Sequence, residues 1–268
     1  MSIRIGIGIK PSSVSGYSWD ASATALLNRM IAAGETQTDA RARNINDTII
    51  ALKAANLFDT RFDGMGITRA TGLGSSKLNW VQNAFNLTKG GAGTLTFTTD
   101  GGYNSDGSTT YLKTNFIPSV NGSKFKQNDA SFWFLISGSL GSGVMGHGVD
   151  DGGARKIVIG AIIGSNDLNK LNSATSSGVG ARYAIGYNCM ARTNATTQDK
   201  YINANAYNNA ANSTGLPVSE IYLLAYNDAG TPSYFVPERL EAWGYGAYIT
   251  QAEFLTIQGI VNAYIAAL

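Results

Sequence analysis

ASFWFLIS, residues 130–137, has no polar side. A strand sends successive side chains to opposite faces. Phe132 and Phe134 therefore point one way and Trp133 the other, and both faces are apolar. This predicts a central strand covered on both sides, with a helix as one of the covers.

Other strand patterns flank this segment. They are KLNWV (77–81), TLTFTT (94–99), TTYLKTNF (109–116), RKIVIGAII (155–163), ARYAIGYN (181–188), EIYLLAYN (220–227) and RLEAWGYGAYI (239–249). Clusters of Gly, Asn, Asp and Ser separate them. Many short strands at this spacing predict a sandwich or barrel. There is no alternation of strand and helix, and no fixed-period repeat. The expected fold is mainly β, a two-sheet antiparallel sandwich over residues 60–268.

Residues 1–59 read differently. MSIRIGIGIK (1–10) alternates strictly, with Ile3, Ile5, Ile7 and Ile9 on one face. That pattern predicts a strand. Glycines and Lys10 interrupt the continuous apolar core a signal peptide needs, and Gly6 and Gly8 lack the strand–helix setting of a phosphate loop. An apolar strand needs an edge to pair with, so the four isoleucines are candidate partner-binding residues. Two helices follow. One starts at Asp20 or Ser22 with Leu26, Leu27, Met30 and Ile31 on one face and stops at Gly34. The other starts at Thr38 or Asp39, carries Ile45, Ile49 and Leu52, and runs to about Asn56. At the far end, Thr250-Gln-Ala-Glu253 is a capping box. It opens an amphipathic helix with Phe254, Ile257, Val261, Tyr264, Ile265 and Leu268 on its apolar face.

Composition narrows the function. The 268 residues are 44% hydrophobic and only 14% charged, against about 25% charged in ordinary soluble domains. Lys plus Arg (20) nearly balance Asp plus Glu (18), which argues against a nucleic-acid partner. No stretch is apolar for long enough to cross a membrane as a helix. The single cysteine, Cys189, permits no internal disulfide and is expected as a buried small hydrophobe. Five Asn-x-Ser/Thr triplets are attributed to the Asn/Thr-rich composition.

Candidate chemistry is sparse. His147 is the only histidine and lies in a glycine-rich stretch, GSGVMGHGVDDGG (141–153), where an ordinary loop histidine is expected. No G-x-S-x-G elbow is present to pair with it, and zinc would need further ligands. Glycoside hydrolysis requires two facing carboxyl groups, but Glu238 and Glu241, three residues apart, would face opposite sides. Asp150, Asp151 and glycine carbonyls leave a Ca²⁺ site open as a minor alternative; otherwise no cofactor is expected. Asp63, Asp100, Asp106 and Asp228 stand next to turn residues and read as turn chemistry. Sugars are held by exposed rings flanked by amides. YINANAYNNAAN (201–212) therefore makes Tyr201, Asn205, Tyr207 and Asn208 the candidate ligand-binding residues.

FTTDGGYNSDGSTTYLKTNF (97–116), with KLNW (77–80) before it, resembles a stretch of tailed-bacteriophage and prophage virion proteins of the concanavalin A-like, laminin-G-like type. IYLLAYN (221–227) and AYITQAEFLTIQGIVNAYIAAL (247–268) are similar to the ending of those proteins. The resemblance covers about residues 60–268 and implies a jelly-roll sandwich on the virion, as a tail, fibre or capsid-surface component. It implies virion proteins and further copies of this chain as partners, and synthesis in the host cytoplasm without a signal peptide. A host cell-surface glycan is the ligand many relatives are presumed to take. The E-x-D-x-E strand of glycosidase relatives and the Q-I-H strand of alginate lyases are both absent. The expectation is thus a non-enzymatic virion structural protein, with a glycan-binding adhesin as the alternative and a polysaccharide depolymerase less favoured.

Overall fold

The computed structural model describes residues 17–140, 146–153, 155–163, 166–174 and 184–268. Ile3, Ile5, Ile7 and Ile9 lie outside the described residues. Among these, sixteen strands form two eight-stranded sheets, and helices cover one of them.

The central strand of the first sheet is β6 (Ala130–Ser137). It pairs antiparallel with β10 (Gly186–Arg192) on one edge and β16 (Arg239–Gly246) on the other. Beyond β10 lie β11 (Thr197–Ile202) and β12 (Asn205–Ala210). β16 also pairs with β1 (Phe62–Ile67) and β4 (Gly102–Asn104), and β3 (Thr96–Thr98) follows β4. The second sheet is built around β7 (His147–Asp150). β14 (Ala225–Asp228) and β15 (Thr231–Ser233) lie to one side of it. β13 (Tyr222–Leu223), β5 (Tyr111–Lys113) and β2 (Thr88–Gly90) lie to the other. β8 (Lys156–Ile163) and β9 (Asn166–Leu171) extend this sheet from β7.

The expected double burial of β6 is found. Phe132, Phe134 and Ile136 enter the core between the sheets, with Leu240, Trp243, Tyr245, Val149, Ile157 and Leu223. Trp133 and Leu135 enter a second core beneath the helices. Gly244 makes room there: a Cβ on it would sit 2.5 Å from the Trp133 ring. The register of β16 shifts between Leu240 and Ala242. That bulge changes the face of the following residues, so Leu240 and Ala242 lie in different cores.

The helical cover comes from both ends of the chain. α1 (Ala21–Ala32) starts at Asp20, whose side chain accepts from the Ser22 N–H. α2 (Asp39–Ala54) starts at Thr38, which accepts from the Arg41 N–H. α5 (Gln251–Ala266) closes the chain with the complete capping box, Thr250 and Glu253 each bonding the other's backbone N–H. Ala23, Leu26 and Met30, Ile45, Ile49 and Leu52, and Phe254, Ile257, Val261 and Tyr264 share one core with the first sheet. The hairpin is thus packed on the sandwich. Glu35, in the connection between α1 and α2, accepts from the backbone N–H groups of Gly74 (2.6 Å) and Ser75 (3.0 Å) and from the Ser75 hydroxyl. Two single-turn helices, α3 (Phe58–Arg61) and α4 (Pro118–Asn121), complete the set.

Several local readings are corrected. KLNWV (77–81) is not a strand: its backbone turns around the Asn79 side chain, which accepts from Met65 and Val81 and donates to Ala84. EIYLLAYN splits at Leu224 into β13 and β14. The sandwich is also not wholly antiparallel, because β14 runs parallel to β7. Asp63 sits buried in β1 rather than in a turn, accepting from the Lys124 and Phe125 N–H groups at 2.7–3.0 Å. Asp106 is the turn residue expected. Burial pushes its pKa up, but the Thr109 hydroxyl and the backbone N–H groups of Thr109, Ser108 and Thr110 donate to the carboxylate and hold it well below the usual range.

The capping box yields a pH prediction. Burial raises the Glu253 pKa, but the Thr250 N–H and Arg61 overcome it, and the net shift is downward. A lowered carboxylate pKa stabilises the fold above the unfolded value, about 4.3, and that contribution is lost as the pH falls below it. Glu253→Gln is expected to flatten the acid limb of a melting-temperature profile. Thr250→Ala is expected to cost about 1 kcal/mol in urea unfolding at neutral pH.

Candidate carbohydrate-binding face

The two outer surfaces of the sandwich differ. Helices cover the far side of the first sheet. On the second sheet, Leu112 and Leu223 point into the core, so their neighbours Tyr111 and Tyr222 point outward. These two rings form a cluster of their own with Ala225, and Phe235 packs against it. The Tyr111 and Tyr222 centroids are 4.5 Å apart, and Phe235 lies 6.0 Å from Tyr111. Lys113 stands over the Tyr222 ring at 6.0 Å and pairs with Glu220 at 3.8 Å.

A shallow groove of about 460 Å³ opens beside this aromatic row, lined by Asn115, Ser219, Glu220, Tyr222, Asn227 and Gly230 with Ile117 and Val218 at its apolar end. Its walls are held by short bonds. The Asn227 amide donates to the Glu220 carbonyl at 2.7 Å and accepts from the Gly230 N–H at 2.7 Å. Asn115, at a positive φ of 56°, donates to the Asn86 carbonyl at 2.6 Å. Burial first, then Tyr111 and Glu220, push the Tyr222 phenol up, so it is a neutral hydroxyl at any ordinary pH. Tyr222 and Asn227 are buried in the wall of the groove, 3% and 1% exposed, and the polar groups that reach its opening are the Glu220 carboxylate, the Asn115 amide and the Ser219 hydroxyl, beside Val218 and Ile117.

The residues singled out from sequence lie elsewhere. Tyr201 is 4% exposed beneath α5, with its ring 5.7 Å from Phe254 and its hydroxyl near Tyr248 and Asp199. It is a core residue, and the expectation that it faces ligand is corrected. The asparagines around it gave a polar impression that the alternation of β11 overrides. Asn205 and Asn208 are exposed on β12 and Tyr207 is half-buried there. Asn208 donates to Asp199 at 2.6 Å. These three are on the first sheet, not beside the groove. The signal for the groove in sequence was weak: Tyr111, Tyr222 and Glu220 belong to strand patterns in which they look like ordinary alternation.

His147 also departs from expectation. It belongs to β7 and is fully buried, as is Glu238. Its Nε2 lies 3.0 Å from Glu238 Oε2, and its Nδ1 accepts the Leu224 N–H at 3.2 Å. The ring stacks on Phe134 at 3.9 Å. Glu241 lies away from Glu238, beside Arg69 and Ser137, as the spacing predicted. Asp150 pairs with Lys156, and Asp151 with Arg155 at 2.9 Å. Among the described residues no group of three or more His, Cys, Asp or Glu is placed to hold a metal ion. Cys189 is buried, as expected, and burial raises its thiol pKa.

No protein-family model matches the sequence, and no curated protein matches it. Solved structures similar in fold include the following three. Trypanosoma rangeli sialidase in complex with sialic acid is 9% identical, with a TM-score of 0.48 over 80% of this chain. This chain spans 38% of that sialidase. Domain 4 of an extracellular arabinanase from Geobacillus stearothermophilus, in complex with arabinotriose, is 13% identical, with a TM-score of 0.46 over 73% of this chain and 99% of that one. The binding domain of botulinum neurotoxin serotype D is 8% identical, with a TM-score of 0.44 over 75% of this chain and 52% of that one.

The placement of Tyr201 has a measurable consequence. Tyr201→Ala is expected to destabilise the protein by about 3 kcal/mol through the cavity it leaves under α5. Urea unfolding checks this, with Asn205→Ala, on the exposed strand, expected within about 0.5 kcal/mol of the parent.

Proposed function

We propose that the chain is a non-enzymatic glycan-binding β-sandwich displayed on a bacteriophage virion. The observation that carries the binding role is the asymmetry of the sandwich. One outer face is closed by three helices. The other keeps a groove in which the Glu220 carboxylate, the Asn115 amide and the Ser219 hydroxyl offer donors and acceptors and Val218 offers an exposed apolar surface. A saccharide is recognised in this way, by apolar side chains against its C–H face and by polar groups for its hydroxyls. The helical side would be the attachment side, toward other virion proteins or further copies of this chain. The phage setting rests on the resemblance of residues 97–116 and 247–268.

Binding rather than catalysis is favoured by the position of the ionisable groups. General acid–base chemistry needs a group within hydrogen-bond reach of the substrate. His147 and Glu238 are sealed in the core, and Asp150, Asp151 and Glu241 are each engaged by a cation. Among the described residues Glu220 is the one carboxylate lining the groove, where glycoside hydrolysis uses two.

The test is an array of oligosaccharides from bacterial capsules and lipopolysaccharides, followed by titration of the best binder. Glu220→Gln is expected to weaken that binder by about tenfold, the scale of a hydrogen bond to a charged group. Ile50→Ala, on exposed α2, should leave it unchanged. Absence of binding to any glycan, or equal binding by both variants, would remove the groove from consideration. Release of reducing ends from the bound glycan would show a depolymerase instead. Absence of the chain from purified particles would end the virion assignment.

A further inference from the structure

The second sheet contains an unusual chain reversal. β13 runs antiparallel to β7 along one edge, with Tyr222 opposite Gly148. After Leu224 alone, β14 runs parallel to β7 along the other edge, with Ala225 opposite His147. The chain therefore wraps around the N-terminal end of β7, and Leu224 makes the crossing. Leu224 is fully buried and has a φ of 65°, the left-handed region that a branched-chain residue avoids.

A buried crossing of this kind exposes no backbone group to water, so both of its polar atoms need partners. The Leu224 carbonyl accepts the Val236 N–H at 3.2 Å. The Leu224 N–H has no strand partner and is taken by His147 Nδ1. That bond requires Nδ1 to be bare, which places the imidazole proton on Nε2. Glu238 Oε2, 3.0 Å from Nε2, holds the proton there. The stack on Phe134 fixes the ring plane.

The geometry points to His147 as the positioning residue of the groove, with Glu238 setting its tautomer. This rests on the groove being the glycan site. Tyr222 lies two residues before Leu224 and Asn227 three after it, and both line the groove from opposite edges of β7. Their separation is set by how the chain crosses β7, and the crossing is pinned by the imidazole. Neither His147 nor Glu238 touches ligand in this scheme. The pair acts through Leu224, as an internal template for a surface it never reaches.

The experiment is NMR on the ¹⁵N-labelled full chain. A long-range ¹H–¹⁵N spectrum of the parent should show His147 protonated at Nε2 only, and a slowly exchanging Leu224 amide. Glu238→Gln keeps a carbonyl oxygen for Nε2–H and should preserve both signatures. Glu238→Leu removes it. Leu224 amide exchange should then rise by at least about tenfold, with shifts at the Asn227 side-chain amide and the Tyr222 ring, while Ile157 and Ile159 change by less than about twofold. Protonation at Nδ1 in the parent would overturn the assignment. So would a Glu238→Leu protein that loses protection evenly across the sheet, since the pair would then add only general stability. If Glu238→Leu does not fold, the parent tautomer and the Glu238→Gln exchange rate still decide. A parent with the expected tautomer but no affinity for any glycan would sink the binding role and leave the crossing intact.

Discussion

Everything in this structure depends on burying both faces of β6. Phe132, Phe134 and Ile136 need one apolar partner surface, and Trp133 and Leu135 need another. A second sheet satisfies the first demand. The other cannot be met by a sheet facing water, and α1, α2 and α5 meet it. Because α1 and α2 precede the strands and α5 follows them, helices far apart in sequence meet on one face. Asn44 on α2 donates to the Tyr264 carbonyl of α5 at 2.9 Å, across 220 residues of sequence. The result is a three-layer protein with one open side.

That open side gives the molecule its polarity. The helix-covered sheet tolerates large rings pressed onto small residues, as Trp133 is on Gly244. The outward face of the second sheet instead carries the tilted and buried pair Tyr111 and Tyr222, with Lys113 and Glu220 at its margin. Polar residues in the interior serve geometry. Asp63 fixes the Lys124–Phe125 backbone, and Asn79 organises a loop that would otherwise be a strand. Arg192, fully buried and with its pKa lowered to about 10 by burial, spends its donors on the carbonyls of Leu171 and Asn194. His147 serves a backbone crossing in the same way. Each is a buried polar group whose partner lies far away in the sequence or in another element.

Periodicity and end-signals made much of this legible from residues alone. The double burial of β6, the three long helices with the capping box at Thr250, and the turn at Asp106 all follow from local spacing, which narrowed the other two caps to Asp20 or Ser22 and to Thr38 or Asp39. Short-range physics decides them: a capping bond spans three residues, and a strand's faces alternate by two. Tertiary structure alone decided the rest. The split of EIYLLAYN at Leu224, and the parallel β7–β14 pair, depend on a strand some 75 residues away. Tyr201 looked like a ligand residue because its neighbours are asparagines, and α5 buried it. His147 looked like a loop residue because glycines surround it, and Glu238 and Leu224, brought from another part of the chain, made it the centre of a hydrogen-bonded core. The groove itself joins Asn115 to residues 218–230, and no local pattern can encode a surface assembled from both. The sequence by itself determined the double burial of β6 and, to within a residue or two, where the three long helices would begin. Only the folded chain decided which polar groups met, because those contacts join residues whose spacing in sequence carries no periodic signal.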